Sequence, residues 1–164
     1  MDTKPDSNRM YSLLVLYDMH TKFLPKSLDG ISEKDMQNRL ETKANHPAWI
    51  AGSLVQQRFE LAKSLGEVHE SAANDLFKDH KGIQDDAVYP APSLLLKDWE
   101  KISPVLRNAL MNITDEKLDS IFSMPEMSMP YFEFIVFSIY REANCIGQIA
   151  LWRRLLGYKA MNYM

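Results

Sequence analysis

The chain has 164 residues, of which 46% are hydrophobic and 25% are charged, and its formal net charge at pH 7 is -3. These values are ordinary for a globular protein, and the length predicts a single domain with one core. Lys and Arg are scattered along the chain, so no basic stripe could follow a phosphate backbone, and nucleic-acid binding is disfavoured.

The cysteine content and the N-terminal segment predict a cytoplasmic protein. Cys145 is the only cysteine, so no intramolecular disulfide can form, which suits a reducing compartment. Residues 1–7 are polar, lack the apolar stretch of a secretory signal, and are expected to be disordered. The longest apolar stretch, 131–140, is about half of the roughly 20 residues that a membrane-spanning helix needs, so no membrane association is expected.

Four long segments carry apolar residues at three- and four-residue steps, which predicts helices with one buried face. The first runs from about Asn8 to Phe23, and Pro25 is expected to end it because proline has no N–H for a helix interior. Ser32 then begins a capping sequence for a short helix that extends to about Arg39.

The second long helix is predicted to begin at Asn45 or His46, because Asn is a strong N-cap and Pro47 fits the first turn. This helix ends near the start of the stretch 66–92. That stretch is longer than most loops, so short helices are expected inside it, including one at 72–77.

The third long helix is predicted to open at Ser93. Pro104 lies inside it and predicts a kink, or a helix that restarts there. Thr114 then caps a brief turn. The segment 124–130 is predicted to be a loop, because no alternating pattern of strand residues occurs anywhere in the chain.

The fourth long helix is predicted from Tyr131 to about Leu156, with Gly157 just past its end. It is apolar on nearly every side, which is typical of the buried centre of a bundle or of a helix with one face in a subunit interface. Aromatic residues of the kind enriched at interfaces stand at Tyr11, Phe23, Phe59, Phe132, Phe134, Phe137 and Trp152. The sequence therefore predicts a homodimer, and a monomer whose last helix is simply central is the alternative.

Two segments almost a hundred residues apart carry the most specific signal. The segment 45–52 reads NHPAWIAG and opens the second long helix, while 141–149 reads REANCIGQI and lies within the last helix. Together they resemble the DinB-like superfamily of helical proteins. The resemblance implies a single all-α domain over 1–164. Its fold would be a four-helix bundle of the up-and-down type, with short extra helices in a long connection or crossover between helices 2 and 3.

The resemblance also implies where a metal site would lie. In the DinB-like family the early segment supplies one His, and the late segment usually reads His-Glu-Ala-x-His-x-Gly-Gln, which supplies two more. The matching positions here hold His46, Arg141 and Cys145. Arg offers no lone pair and its charge would repel a metal, so no metal and no catalytic residue are expected. Zinc or nickel bound by Cys145 and His46 is the alternative.

Residues 141, 145 and 148 share one stripe of the last helix. With the family's early His, they imply a small pocket at one end of the bundle, formed by His46, Arg141, Cys145 and Gln148. Arg141 would give this pocket a positive character suited to a small carboxylate or phosphate. We therefore expect a DinB-like protein that binds a small anion and has no enzymatic activity. The alternative is a metal-dependent thiol S-transferase that uses a low-molecular-weight thiol, an activity found within the family.

Structural explanations also exist for these residues. Cys145 on an apolar helix is often a small buried hydrophobe. Arg141 is expected to pair with Glu142, with Glu133 or with a carboxylate on another helix. Gly147 favours close packing by a neighbouring helix, because it has no side chain to intervene.

Overall fold

Helices account for most of the chain, and the computed structural model describes residues 4–125 and 127–164. The only strands in this described part form one antiparallel hairpin. In chain order the elements are α1 (Tyr11–Leu28), α2 (Glu33–Met36), α3 (Pro47–Ser64), α4 (Asn74–Phe77), α5 (Pro92–Met111), α6 (Asp115–Asp119), β1 (Ile121–Met124), β2 (Met127–Pro130) and α7 (Tyr131–Leu155), with single 3-10 turns at Asn8–Met10 and Lys78–His80. The predicted helical class therefore holds for all but the hairpin.

The four long helices surround one core, in which α1 packs mainly on α5 and α7, and α3 packs on the same two helices. Helices α1 and α7 run parallel. His20 of α1 lies within hydrogen-bond distance of Glu142 of α7, and further along both helices Arg153 donates to the carbonyl of Ser27. None of the helices described here is both long enough and apolar enough to cross a bilayer.

Helix α3 runs antiparallel to α7, because its last residue, Ser64, accepts a hydrogen bond from Tyr131 at the start of α7. Helices α3 and α5 instead run in the same direction. The ring of His46, just before α3, packs on that of Tyr89, just before α5. Further along both helices, Arg58 of α3 donates to Ser103 of α5. The connection 65–91 thus returns the chain to its starting end, so strict up-and-down alternation is interrupted between these two helices.

The predicted caps are present. Ser32 Oγ accepts from the backbone N–H of Asp35 at 3.1 Å, and Thr114 Oγ1 accepts from that of Lys117 at 3.2 Å. Gly157 follows α7 with a φ of 87°, as a glycine past a helix end does. Helix α2 is shorter than expected and ends at Met36.

Pro25 does not end the first helix, because α1 continues through it to Leu28. A proline inside a helix leaves the carbonyl four residues earlier without its usual N–H donor. That carbonyl belongs to Thr21, and it accepts a hydrogen bond from Trp99 Nε1 of α5 at 3.1 Å. A tertiary contact thus replaces the missing backbone bond.

The structure also corrects two smaller details. Of the kink or restart predicted at Pro104, the restart does not occur, because α5 runs through this residue. Both Pro104 and Glu100 are exposed, so the freed carbonyl of Glu100 lies on a solvent-facing stretch. Part of the N-terminal segment is ordered, because Ser7 is buried and donates to Asp115 across the chain. Residues 1–3 lie outside the described residues.

The segment 124–130, predicted as a loop, contains β2 and the last residue of β1, and the two strands pair as a hairpin. Ile121 pairs with Pro130, and Ser123 pairs with Ser128. The hydroxyl oxygens of the two serines are 3.2 Å apart. The hairpin is held against α7 by Phe122, whose ring stacks on that of Phe134 with centroids 4.0 Å apart. Strands of four residues are too short to show a clear alternation of apolar and polar residues in the sequence. The hairpin is stabilised instead by its packing on α7.

Candidate functional site

A cleft of about 890 Å³ opens between α3, α7, the hairpin and the segment 77–81. Its size falls within the range of small-molecule sites, which are mostly apolar with a few polar groups. The apolar walls consist of Trp49, Phe77, Phe122, Met124, Pro125, Met127, Phe134 and Phe137. The polar and charged lining consists of Ser53, Gln56, Gln57, Glu60, Asp79, His80, Lys81, Ser138 and Arg141.

Arg141 is the cation that α7 contributes to this cleft. Its guanidinium donates to Gln57 Oε1 at 2.8 Å and to Ser53 Oγ at 3.1 Å, and both groups belong to α3. The predicted ion pairs with Glu142 and Glu133 do not form, and no carboxylate among the described residues forms a salt bridge with Arg141. The side chain is therefore oriented by neutral oxygens, and no carboxylate of the described residues neutralises its charge at close range.

The outer rim of the cleft includes two residues in the left-handed backbone region. Asp79 has a φ of 58° and His80 a φ of 55°, and neither is glycine. Each such residue costs free energy, because its Cβ crowds the backbone there. The rim is tied down by Lys81, whose ammonium donates to the carbonyl of Asp75 at 2.9 Å. Strained positions of this kind cluster at ligand sites and switch regions.

His46 serves as the N-cap of α3, where Asn45 was the other expectation. Its Nδ1 accepts from the backbone N–H of Trp49 at 3.1 Å, and its ring packs edge-on against Tyr89. Burial lowers the pKa of His46, and the positive charge of Arg39 lowers it further. The imidazole is therefore held neutral, with the Nδ1 lone pair engaged by the helix.

Cys145 and Gln148 do not line the cleft, and neither does His46. Cys145 is buried, and this burial raises the pKa of its thiol in spite of the opposing charge of Arg141. Gln148 is exposed and donates to Asn144 on its own helix at 2.7 Å. Of the four predicted pocket residues, only Arg141 reaches the cleft.

The three residues at the positions that resemble the DinB-like metal ligands do not form a suitable donor set for a metal ion. Arg141 has no lone pair, the Nδ1 of His46 is engaged, and a raised pKa keeps the thiol of Cys145 protonated. Within residues 4–125 and 127–164, no three His, Cys, Asp or Glu side chains group so that they could hold a metal ion.

A buried ionic cluster, which the sequence reading missed, lies between the helices. Arg58 of α3 is 0% exposed and donates to Glu142 of α7 from Nε at 2.7 Å and from an Nη at 2.9 Å. His20 Nδ1 lies 3.2 Å from the same carboxylate. The Arg58 guanidinium is sandwiched by the rings of Tyr17 and Trp99, at 3.9 and 3.5 Å from their centroids.

A signal for this cluster does exist in the sequence. Arg58 stands four residues from Leu54 and from Ala62, so it interrupts the apolar stripe of α3. Glu142 interrupts the apolar stripe of α7 in the same way, after Ile139. Arg58 and Glu142 carry opposite charges, and each lies on a stripe that must be buried. Because an unpaired buried charge is very costly, the two side chains are expected to pair with each other.

Two consecutive residues of α7 thus lie in different environments. Arg141 faces the cleft, and Glu142 faces the core. The cleft is where Arg141, held by neutral partners, meets apolar walls. No protein-family model and no curated protein matches this chain.

Proposed function

We propose that the protein binds a small amphipathic anion in the cleft, with the anionic group on Arg141 and the apolar part against the aromatic walls. One observation carries the proposal: Arg141 is held in place by Gln57 and Ser53, both neutral, at the edge of a mostly apolar cleft. A guanidinium fixed in this way can receive a carboxylate or phosphate through paired hydrogen bonds.

The other charges of the cleft favour a monoanion over a dianion. Besides Arg141, the charged lining of the cleft consists of two carboxylates, Glu60 and Asp79, and one lysine, Lys81, with His80 beside Asp79 at the rim. Like charges on the protein would repel a second negative charge on the ligand, while a single carboxylate needs only one cation. The flat walls, including Phe134, suit an aromatic or short acyl group.

For the fold, we propose a DinB-like four-helix bundle made of α1, α3, α5 and α7. The order of the four helices supports this, as do the long connection between α3 and α5 and the matching segments 45–52 and 141–149. Two of the three metal-ligand positions of that family hold Arg141 and Cys145 here, so the proposed role is binding and not metal-dependent catalysis.

The proposal is tested with phenylacetate as the probe and phenylacetamide as its neutral analogue, by calorimetric titration and thermal stabilisation. Phenylacetate should stabilise the wild type, while phenylacetamide should not. Arg141→Gln should abolish the response, and Lys97→Gln, an equal change of charge at an exposed position of α5, should preserve it. Equal responses of the wild type and Arg141→Gln would remove Arg141 from the function.

Elemental analysis addresses the remaining alternative, a thiol S-transferase that depends on zinc or nickel. Protein purified without added metal should carry neither ion in a fixed ratio. Near-stoichiometric zinc or nickel that is lost in His46→Ala would replace the binding role with the metal-dependent one.

A further inference from the structure

Helices α1 and α7 together present an exposed apolar face on the outside of the molecule. The two helices are parallel neighbours, so their outward sides are continuous. We call this surface the α1–α7 face. Its large members, with their exposed fractions, are Tyr11 64%, Val15 50%, Leu16 40%, Met19 41%, Val136 37%, Tyr140 63% and Leu151 59%.

The area of this face is close to what a stable dimer buries on each side. If a fully exposed large side chain presents roughly 200 Å², these exposures amount to on the order of 700 Å² per copy. The largest apolar patch of a typical monomer is about 300–600 Å², and a standard interface buries about 800 Å² per partner. The α1–α7 face is thus larger than a monomer usually leaves uncovered.

The centre of the α7 part of this face is formed by the small residues Ala143 and Gly147. A Cβ built on Gly147 would meet no heavy atom within 4 Å, so none of the described residues packs closely on this glycine, although the sequence predicts close packing by a neighbouring helix. Glycine in a helix interior costs about 0.5–1 kcal/mol relative to alanine. No close contact of the described part of the chain offsets that cost, whereas a second helix could pack on the shallow surface that Gly147 leaves.

The exposed residues of α7 are spaced so that two antiparallel copies of the helix can pack on each other. Glu133 lies near the start of the exposed side and Arg154 near its end, and their midpoint falls between residues 143 and 144. A two-fold axis there places Tyr140 over Gly147 of the partner subunit and Val136 beside Leu151 of the partner subunit. The same axis brings opposite charges together at both ends.

We infer that the protein forms a homodimer through the α1–α7 face, with the two α7 helices antiparallel and the ring of Tyr140 seated over Gly147 of the partner subunit. The interface is isologous, so every contact occurs twice. This interface does not include the aromatic residues of the cleft. It also excludes Phe59 and Trp152, which the sequence suggested as interface residues, because both are buried in the protomer.

Sedimentation equilibrium of the full chain at micromolar concentrations tests this inference. The wild type should have twice the protomer mass of 19.0 kDa. Gly147→Leu should raise the dissociation constant at least about a hundredfold, because it fills the place of the tyrosine ring on both sides. The same change should not lower the thermal stability of the protomer, since leucine is the better helix former and the site is open.

Leu151→Glu should also dissociate the dimer, and Val88→Glu is its matched control, because Val88 is 84% exposed outside the α1–α7 face. Glu133→Arg should weaken the dimer, and adding Arg154→Glu should restore it if the helices are antiparallel. A mass of 19.0 kDa at all concentrations would overturn the inference. A dimer that survives both Gly147→Leu and Leu151→Glu would overturn it as well, and would place the interface elsewhere.

Discussion

Replacing Glu142 by glutamine is expected to destabilise the fold by about 3–5 kcal/mol, the usual cost of breaking a buried ion pair from one side. The change keeps the size of the side chain but removes the counter-charge of Arg58, whose side chain is fully buried. Two charge-assisted hydrogen bonds, at 2.7 and 2.9 Å, lose their ionic acceptor. The guanidinium is shielded from water, because Arg58 is fully buried and the rings of Tyr17 and Trp99 both pack on it.

The measurement is urea unfolding followed by circular dichroism, with the free energy of unfolding taken from linear extrapolation. Glu100→Gln is the control, since Glu100 is an exposed glutamate of α5 outside the α1–α7 face and its loss should cost at most about 0.5 kcal/mol. The double variant Arg58→Met with Glu142→Leu should be more stable than Glu142→Gln, because it removes both buried charges together. A loss below about 1 kcal/mol in Glu142→Gln would refute the reasoning.

The same pair gives a pH dependence whose sign is fixed. Burial alone would raise the pKa of Glu142, but the charge and hydrogen bonds of Arg58, with a hydrogen bond from His20, outweigh it and hold that pKa below its ordinary value. A carboxylate with a lowered pKa in the folded state stabilises the protein above its unfolded pKa of about 4.3. That stability is lost as the pH falls through the folded pKa, and Glu142→Gln should lack this component.

Three further outcomes are expected. His46→Asn keeps a capping acceptor for the N–H of Trp49 but cannot titrate, so it should reduce the loss of stability that the wild type shows as the pH falls below about 6.5; unchanged pH profiles would contradict this. Gly52→Ala should cost about 1–3 kcal/mol in urea unfolding, because the new Cβ would lie 2.1 Å from Cζ of Phe77, and adding Phe77→Leu should recover part of the loss. Cys145 should react slowly with a disulfide reagent at neutral pH in the folded protein and quickly in urea; rapid reaction of the folded protein would show that its pKa is not raised.

The long helices and most of their ends could be predicted because the signals are local. His46 followed by Pro47, and Gly157 after an apolar run, mark helix ends without reference to the rest of the chain. The prediction that the first helix ends at Pro25 was wrong because Trp99, on another helix, donates to the carbonyl that the proline leaves without a partner. The hairpin was missed because Phe122 stabilises it by packing on α7, and local sequence does not report such contacts.

The site was predicted less well, for a geometric reason. Arg141, Cys145 and Gln148 belong to one stripe, yet residues 145 and 148 differ by about 60° around the helix axis. This stripe lies at the boundary between core and solvent, so that difference buries Cys145 and exposes Gln148. The resemblance pointed to Arg141, and only the packed helices reveal the neutral partners and aromatic walls around it.

The hydrogen bond from Trp99 to the carbonyl of Thr21 has a consequence for how the molecule opens. The turn of α1 around Pro25 lacks one backbone hydrogen bond, and the hydrogen bond from Trp99 of α5 replaces it. Undocking of α5 would therefore release the end of α1 at the same time. We expect the amides after Pro25 and those around Trp99 to exchange with deuterium as one cooperative unit, although more than seventy residues separate them along the chain.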